Sequence, residues 1–357
     1  MYTERSLSME QTKPFTLINQ AVMSYNLDFQ SLELIRVSLT THGQHGDLHY
    51  KILIDGHPYS IRLLPKKRYV NSDLSQSTPD LLTKQLRYTD YLRANGIPFM
   101  KPVKPTDEAL FTTIMDSIGQ EWTCCLFHWI DGHHVTANTE QTAARMGQLA
   151  RQLHDVSLHQ HDICFPYIDH KIVYQRWLGD LQRLLVSRMP ESARNSLQEY
   201  LNLAQYHLDT AQHHQSPSFQ PVISTDLNSL NILWSQDQQI IGIVDHEHIG
   251  ATDRVQDLAW LIKWYARTEG IGSHDVSGRL AKTLLAHYNS PTVLVSQDDP
   301  RLAALLWLSG CFNLHFIERT KQLAFDAENN PVGYDQFQLH LQTYRARGEQ
   351  LSVLLRN

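Results

Sequence analysis

The sequence predicts an α+β protein in which strands dominate the first third and helices the remainder. Segments 50–54 and 59–64 alternate apolar and polar residues around an Asp-Gly pair, which is typical of a tight β-hairpin. Apolar residues recur at helical spacing in later segments such as 139–154. Short apolar runs separated by polar turns, residues 221–245, interrupt this helical part. The interruption is where we expect the chemistry.

In the first third, three antiparallel strands precede one helix and two more strands. The predicted strands cover residues 32–39, 50–54, 59–64, 110–115 and 122–129, and the helix covers residues 81–94. We expect this helix to end at Asn95-Gly96, because Gly closes helices in a left-handed conformation that other residues rarely adopt.

The remaining residues form helices on both sides of the interruption. The predicted helices cover residues 139–154, 171–189, 192–213, 253–267, 274–287, 300–325 and 334–355. Thr139 is the expected N-cap of the first of them. Two domains follow from this pattern, with a boundary between residues 1–128 and residues 129–357.

Composition excludes several classes of protein. A chain of 357 residues that is 42% hydrophobic can bury a large core. Its formal charge of -6 argues against nucleic acid as a partner. No apolar run is long enough to span a membrane, and the first fifteen residues lack the apolar core of a signal peptide. We therefore expect a cytoplasmic protein without a membrane or nucleic-acid partner.

The cysteines and histidines do not predict a metal site. The four cysteines contain no CxxC pair and are expected to be free thiols: Cys124, Cys125, Cys164 and Cys311. The twenty histidines form no HExxH motif or Cys/His ladder, so a zinc site is not predicted.

Residues 224–245 carry the acids that phosphoryl transfer requires. Asp226 and Asn231 lie in a polar loop between two apolar runs, and Asp245 ends the next strand. Phosphoryl transfer needs an oriented hydroxyl and metal ions that neutralise phosphate charge. An Asp and an Asn suit Mg²⁺, which prefers oxygen ligands, and a second Asp remains to accept the hydroxyl proton. Taken alone, Asp226 and Asn231 could equally be a pair that caps a turn.

Five segments in the expected order resemble the aminoglycoside phosphotransferase and choline kinase family. They are STDLNSLNIL, which resembles the catalytic loop, IIGIVDHE, RVQDLAWLI, MGQLARQLHDVS, and LFHWIDG, which resembles the hinge. The resemblance implies a bilobal protein-kinase-like fold. Residues 1–128 would form a small antiparallel β-sheet N-lobe with one helix, and residues 129–357 a larger, mainly helical C-lobe.

The resemblance assigns roles to the acids. Asp226 would be the catalytic base, and Asn231 and Asp245 would bind Mg²⁺. Glu247 would act near the metal or on a second metal ion. Asp257 would brace the catalytic loop, and its position in an apolar helix favours an architectural role.

The same resemblance places the nucleotide, ATP or GTP. Gly43 and Gly46 would let the backbone of a loop approach the triphosphate. The backbone of Phe127, His128 and Trp129 would face the purine edge. Both assignments have ordinary alternatives, since a hairpin loop is often rich in glycine and this strand could be part of the core.

Five positions depart from the family pattern. Arg62 stands where a phosphate-binding Lys is usual, and Gln85 replaces the Glu that pairs with it. Ser224 and Asn228 replace two histidines that support the catalytic loop. His246 replaces a Phe beside Asp245, where we expect it to pack.

The implied function is transfer of the γ-phosphate of ATP or GTP to a hydroxyl of a small molecule. Candidate acceptors are an amino alcohol, a homoserine-like metabolite, and an aminoglycoside or macrolide antibiotic. The alternative is a weak or inactive binding protein that retains the kinase fold. A protein substrate is disfavoured because a helix begins at Asp253, eight residues after Asp245, which leaves little room for a peptide platform. The oligomeric state, monomer or homodimer, stays open.

Overall fold

The computed structural model describes residues 9–35, 47–66, 78–106, 108–186, 190–215, 221–271, 273–329 and 331–355. The chain divides into two compact units. The first unit contains Met1–Gly132 and Ile241–Glu247, and the second contains His133–Ile240 and His248–Asn357.

A five-stranded antiparallel sheet forms the centre of the first unit, in the order β1-β2-β3-β5-β4. Its strands are β1 (Leu32–Ile35), β2 (Leu48–Ile54), β3 (His57–Pro65), β4 (Thr112–Met115) and β5 (Glu121–His128). Asp55 and Gly56 both have positive φ, 48° and 77°, in the two-residue turn between β2 and β3. This conformation matches the twist of the paired strands, and it confirms the predicted hairpin.

Two helices belong to the described part of the first unit: α1 (Met9–Met23) and α2 (Pro79–Ala94). No helix is predicted for residues 9–23 from the sequence, yet Ile18 and Val22 of α1 are fully buried in the core of the sheet. The following Tyr25 donates its hydroxyl proton to the Cys124 carbonyl at 2.6 Å. α1 therefore forms because the sheet offers an apolar face, which the local pattern does not reveal.

The α2 helix begins and ends with clear local signals. The Thr78 side chain accepts a hydrogen bond from the Leu81 N–H, and Pro79 occupies the first turn, where its missing N–H costs nothing. Gly96, with φ of 80°, follows the C-cap residue Asn95. This end of the helix confirms the prediction.

The second unit is mainly helical. Its long helices are α3 (Glu140–Leu158), α4 (His170–Gln182), α5 (Glu191–His213), α6 (Arg254–Tyr265), α7 (Gly278–Tyr288), α8 (Asp298–Cys311), α9 (Leu314–Asn329) and α10 (Pro331–Val353), with short 3₁₀ turns at Arg183–Val186 and Ser290–Thr292. Thr139 caps α3 through a reciprocal pair of hydrogen bonds with Thr142, as a capping box does. None of the helices in the described ranges is long and apolar enough to cross a bilayer.

The prediction of a single helix over residues 300–325 is wrong. The chain leaves the helical conformation at Phe312, with φ of -125° and ψ of 50°, which separates α8 from α9. The Asn313 side-chain oxygen accepts a hydrogen bond from the Phe316 N–H and so starts the second helix. Asn side chains often accept hydrogen bonds from nearby backbone N–H groups. Asn313 was overlooked as a helix start because the apolar pattern continues on both sides of it.

Four short strands account for the interruption: β6 (Pro221–Ser224), β7 (Ile232–Trp234), β8 (Ile240–Ile243) and β9 (Gly250–Asp253). β6 pairs antiparallel with β9, so that Ser224 lies opposite Gly250. Asp253, the last residue of β9, caps α6 by accepting a hydrogen bond from the Val255 N–H at 2.7 Å. The β6–β9 pair thus fixes both the loop after β6 and the start of α6.

The architecture confirms the predicted α+β class. An antiparallel sheet with helices makes up the first unit, and helices with short strands make up the second.

Candidate active site

Asp226 lies in the loop between β6 and β7, and both of its carboxylate oxygens are held. Oδ1 accepts a hydrogen bond from the Trp260 indole N–H at 3.0 Å. Oδ2 accepts one from the Asn228 side-chain amide at 2.9 Å. Two neutral donors therefore orient a carboxylate that stays partly exposed to solvent.

Asn231 is tied to the same loop. Its Nδ2 donates to the Asp226 carbonyl at 2.8 Å, and its backbone N–H donates to the Asn228 carbonyl at 3.0 Å. The Asn228 side-chain oxygen accepts from the Leu230 N–H at 2.8 Å. Because its amide nitrogen is held by the loop, Asn231 must turn its side-chain oxygen away from the Asp226 carbonyl.

A buried chain of hydrogen bonds supports this loop from Ser224. The Ser224 hydroxyl donates to Asp257 Oδ1 at 2.6 Å, and His154 Nε2 lies 2.9 Å from Asp257 Oδ2. The Tyr288 hydroxyl lies 2.8 Å from His154 Nδ1. Because the Asp257 carboxylate only accepts, Nε2 of His154 donates to it, and in this tautomer Nδ1 can accept from Tyr288. Four side chains thus join the end of β6 to α3, α6 and α7.

In the first unit, the Arg62 guanidinium on β3 is surrounded by three carboxylates. Its nitrogens lie 3.1 Å from Asp245, 3.0 Å from Glu247 and 3.7 Å from Asp47. Burial lowers the pKa of Arg62, but the attraction of the carboxylates outweighs it and raises the pKa above its ordinary value. Among the described side chains, three carboxylates thus share one guanidinium.

Asp245 has an unusual backbone. Its φ of 71° lies in the left-handed region, which Asp tolerates better than most residues because its short side chain can bond locally. Here Oδ1 accepts from the Glu247 N–H at 3.1 Å. The strained conformation costs about 1–3 kcal/mol, and such residues concentrate at functional sites.

Gln85 contacts the segment after β8 from α2. Its side-chain amide donates to the Glu247 carbonyl at 2.8 Å, and the residue is buried. Arg62 therefore contacts Asp245 and Glu247 after β8 and Asp47 next to β2. From α2, the Gln85 side chain binds the backbone of Glu247.

The residues expected at the purine edge lie at the end of β5. Phe127 is buried and packs near His246, with ring centroids 5.6 Å apart. The His128 N–H donates to the Lys101 carbonyl, and the Trp129 N–H donates to the Pro58 carbonyl. These two N–H groups are thus engaged within the protein. Gly43 and Gly46 lie outside the described residues.

The four cysteines are free, as expected, and only Cys164 is exposed. In the described part of the chain, no three Asp, Glu, His or Cys side chains form a ready metal cage. Asn231 in the second unit and Asp245 in the first each offer a hard oxygen atom, the type of donor that a magnesium ion prefers. Such an ion would need further oxygens, which nucleotide phosphates supply in kinases.

The structure brings the predicted residues together in two groups. Asp226, Asn228 and Asn231 form one with the Ser224–Asp257 support, and Arg62, Gln85, Asp245 and Glu247 form the other. Four contributors were not predicted: Asp47, His154, Trp260 and Tyr288. Trp260 lies three residues after Asp257 on α6, so helical spacing could have indicated that both face the loop.

The sheet of the first unit and the helices of the second define a protein-kinase-like fold. Residues 59–305 match the phosphotransferase enzyme family APH, and the chain belongs to this family. A comparison with curated proteins finds no match.

Several solved structures share this fold at low sequence identity. An aminoglycoside phosphotransferase from Alicyclobacillus acidocaldarius is 14% identical, with a TM-score of 0.62 over 95% of this chain and 94% of that one. A microcompartment-associated aminopropanol kinase is 16% identical, with a TM-score of 0.61 over 94% and 97%. An amicoumacin kinase in complex with AMP-PNP, Ca²⁺ and Ami is 13% identical, with a TM-score of 0.60 over 96% of each chain. At these identities the likeness concerns the fold.

Proposed function

We propose that this protein transfers the γ-phosphate of ATP or GTP to a hydroxyl group of a small molecule. Asp226 is the catalytic base, and Asn231 and Asp245 are the side chains that hold Mg²⁺. The observation that carries the proposal is the fixed carboxylate of Asp226, held at 3.0 Å by Trp260 and at 2.9 Å by Asn228.

The geometry of the loop suits a base. The two N–H donors hold the carboxylate in one orientation, so little reorganisation is needed when a hydroxyl approaches. The acceptor hydroxyl would give its proton to Asp226 while its oxygen forms a bond to the γ-phosphorus. The bond from that phosphorus to the β-phosphate oxygen breaks, which yields a phosphate ester and a nucleoside diphosphate.

The side chains proposed to bind Mg²⁺ have the type of donor atom that this ion prefers. Held by these side chains, Mg²⁺ would supply positive charge that neutralises the phosphates. Asn231 would use the side-chain oxygen that its bond to the Asp226 carbonyl turns outward. Asp245 would contribute its carboxylate, a hard oxygen donor that suits a divalent cation.

Arg62 would contact the phosphates of the nucleotide. Its guanidinium keeps a positive charge at any physiological pH, as arginine side chains do in proteins, and the surrounding carboxylates raise its pKa further. Glu247 would orient Arg62 and stay close to the metal. The backbone at the end of β5 would bind the purine through groups other than the His128 and Trp129 N–H groups, which are already engaged.

The test separates nucleotide binding from transfer. Thermal unfolding of the full chain is measured with and without Mg²⁺ and ATP or GTP, for the parent, Asp226→Asn and Asp245→Asn. Ligand at about 100 times its Kd stabilises the folded state by about 2.7 kcal/mol, which gives a measurable rise in Tm. We expect the parent and Asp226→Asn to respond equally, and Asp245→Asn to lose the metal-dependent part.

Nucleotide consumption in the presence of candidate acceptors then measures transfer. We expect Asp226→Asn to lower kcat by about 10²-fold or more, since a positioned base contributes about 10²–10⁴-fold. Asp237→Asn, on an exposed turn of the second unit, is the matched control and should keep full activity. Absence of any nucleotide effect on Tm would support the binding-protein alternative. Equal loss of binding and transfer in Asp226→Asn would contradict its role as base.

A further inference from the structure

Three cations lie buried beside the Asp226 loop in the second unit. Lys263 is on α6, Arg267 follows that helix, and Arg347 is on α10; each is about 95% buried, with exposed fractions of 5%, 6% and 4%. Within the part of the chain that the structure describes, no carboxylate forms an ion pair with any of them. We call these three side chains the cationic cluster.

The Trp260 indole ring lies between the cationic cluster and Asp226, the proposed base. The Lys263 ammonium lies 3.9 Å from the centre of the Trp260 ring, whose N–H donates to Asp226. Lys263 also lies 5.2 Å from the Trp264 ring, and the Arg267 guanidinium lies 4.9 Å from that same ring. Such contacts with aromatic faces stabilise a cation, but they do not neutralise its charge.

Arg347 has an unsatisfied edge. Its Nη1 lies 3.1 Å from His274 Nδ1, whereas its Nε and Nη2 are buried without a hydrogen-bond partner. These two nitrogens form one side of the planar guanidinium, where parallel N–H groups match the two oxygens of a carboxylate or phosphate. Buried donors in native proteins nearly always have a hydrogen-bond partner in the protein or in ordered water, so this edge is available to an anionic acceptor group.

Burial, and after it mutual repulsion, disfavours the charged forms of Lys263 and Arg267. Burial, followed by the charges of Arg267 and Arg347, lowers the pKa of Lys263 to about 7. Burial and the charge of Arg347 likewise lower the pKa of Arg267 to about 10. The folded protein thus holds positive charges together against a considerable cost, which an anion would relieve.

We propose that the cationic cluster binds an anionic group of the phosphoryl acceptor. The acceptor is therefore a hydroxyl compound that also carries a carboxylate or a phosphate. Its hydroxyl lies at Asp226, and its anionic group meets the free edge of Arg347 together with Lys263. This inference rests on the proposed function, and it disfavours polycationic acceptors such as aminoglycosides, which the same charges would repel.

Calorimetric titration of the full chain with small probes tests the cluster. The anionic probes are inorganic phosphate, glycerol 3-phosphate and glycerate; glycerol and ethanolamine are the neutral and cationic counterparts. We expect the anions to bind about tenfold or more tightly than glycerol or ethanolamine, because a bidentate charged contact is worth at least that factor. Comparison of glycerol 3-phosphate with glycerate shows whether phosphate or carboxylate is preferred.

Two variants and one control locate the binding. Arg347→Gln removes the free edge and should weaken anion binding about tenfold or more. Arg345→Gln makes the same charge change two residues earlier on α10, at an exposed pair with Glu199, and should leave affinity within about twofold. If Arg347→Gln fails to fold, Lys263→Met supplies the same test at the other end of the cluster.

The outcomes separate this inference from the proposed function. Anions that bind no more tightly than glycerol, or equal affinity in the parent and Arg347→Gln, would overturn the anion site. The rise in Tm with Mg²⁺ and nucleotide is measured separately and does not depend on the cationic cluster. Its absence, with anion binding retained, would overturn the phosphotransferase proposal and leave the anion site standing.

Discussion

Arg62 and Glu247 form a mostly buried ion pair, in which Nη2 of the guanidinium lies 3.0 Å from Oε1 of the carboxylate. The two residues are far apart in sequence, and the pair fastens the segment after β8 to the sheet at β3. Gln85 on α2 holds the same segment through the Glu247 carbonyl. The position of Asp245, two residues before Glu247, therefore depends on these contacts.

Replacing Arg62 by Met should destabilise the protein strongly. The variant keeps an unbranched apolar stem but removes the guanidinium that the carboxylates of Asp47, Asp245 and Glu247 face. Removing one partner of a buried pair costs about 3–5 kcal/mol. Unfolding in urea, followed by circular dichroism, measures this loss.

Lys66→Met is the matched control, since Lys66 pairs with Glu121 at 2.9 Å but is largely exposed. An exposed pair of this kind contributes about 0–1 kcal/mol. A similar loss of unfolding free energy in both variants would show that burial does not strengthen the Arg62 ion pairs.

Asp257→Asn should break the hydrogen-bonded support of the catalytic loop. The amide can accept from either Ser224 or His154, but its NH₂ group then faces a donor. Leaving buried polar groups unsatisfied costs about 1–3 kcal/mol, and a shifted loop should lower kcat more than it changes the KM for nucleotide. Asp155→Asn, at a part-exposed pair with Arg151, should change stability by about 0.5 kcal/mol or less. Equal effects of the two variants would contradict the supporting role.

Gly147→Ala tests the close approach of α3 and α7. A Cβ at Gly147 would lie 2.3 Å from the Leu284 carbonyl oxygen and 3.0 Å from the Tyr288 nitrogen, which are backbone atoms and cannot simply rotate away. We expect a loss of about 1–3 kcal/mol in the free energy of unfolding. Gly179→Ala on α4 meets nothing within 4 Å and should gain about 0.5–1 kcal/mol from helix propensity. A gain in both variants would show that α3 and α7 have room between them.

Lys263→Met should change how stability depends on pH. The pKa of Lys263 falls from 10.5 to about 7 on folding, mainly through burial. Well below pH 7, Lys263 is protonated in both states and the folded state bears the full cost of the buried charge. Between pH 7 and 10.5 the unfolded state binds more protons, so the stability of the parent rises with pH. The variant lacks this increase.

The difference between parent and Lys263→Met in the free energy of unfolding, measured at pH 7 and pH 9.5, should therefore shift by about 1–3 kcal/mol in favour of the parent. Other groups that titrate in this range affect both proteins and cancel. If the difference in the free energy of unfolding stays constant with pH, folding does not lower the pKa of Lys263.

Local signals in the sequence predicted many of the elements but not all of their ends. The Asp55-Gly56 turn and the Thr139 cap depend on neighbouring residues alone, so their chemistry is visible in the sequence. The break between α8 and α9 was missed because the apolar pattern continues past Asn313, whose side chain starts the second helix. Helix α1 was missed because its formation depends on burial against the distant sheet.

By itself, the sequence determined the class of fold and the order of the acids, because hydrophobic period and loop chemistry act over a few residues. Only the tertiary structure decided which groups face those acids: Trp260 against Asp226, and Glu247 against Arg62. The same holds for the unpaired edge of Arg347. Hydrogen bonds and charges act over a few ångströms in space, and no pattern along the chain records which distant side chains folding brings that close.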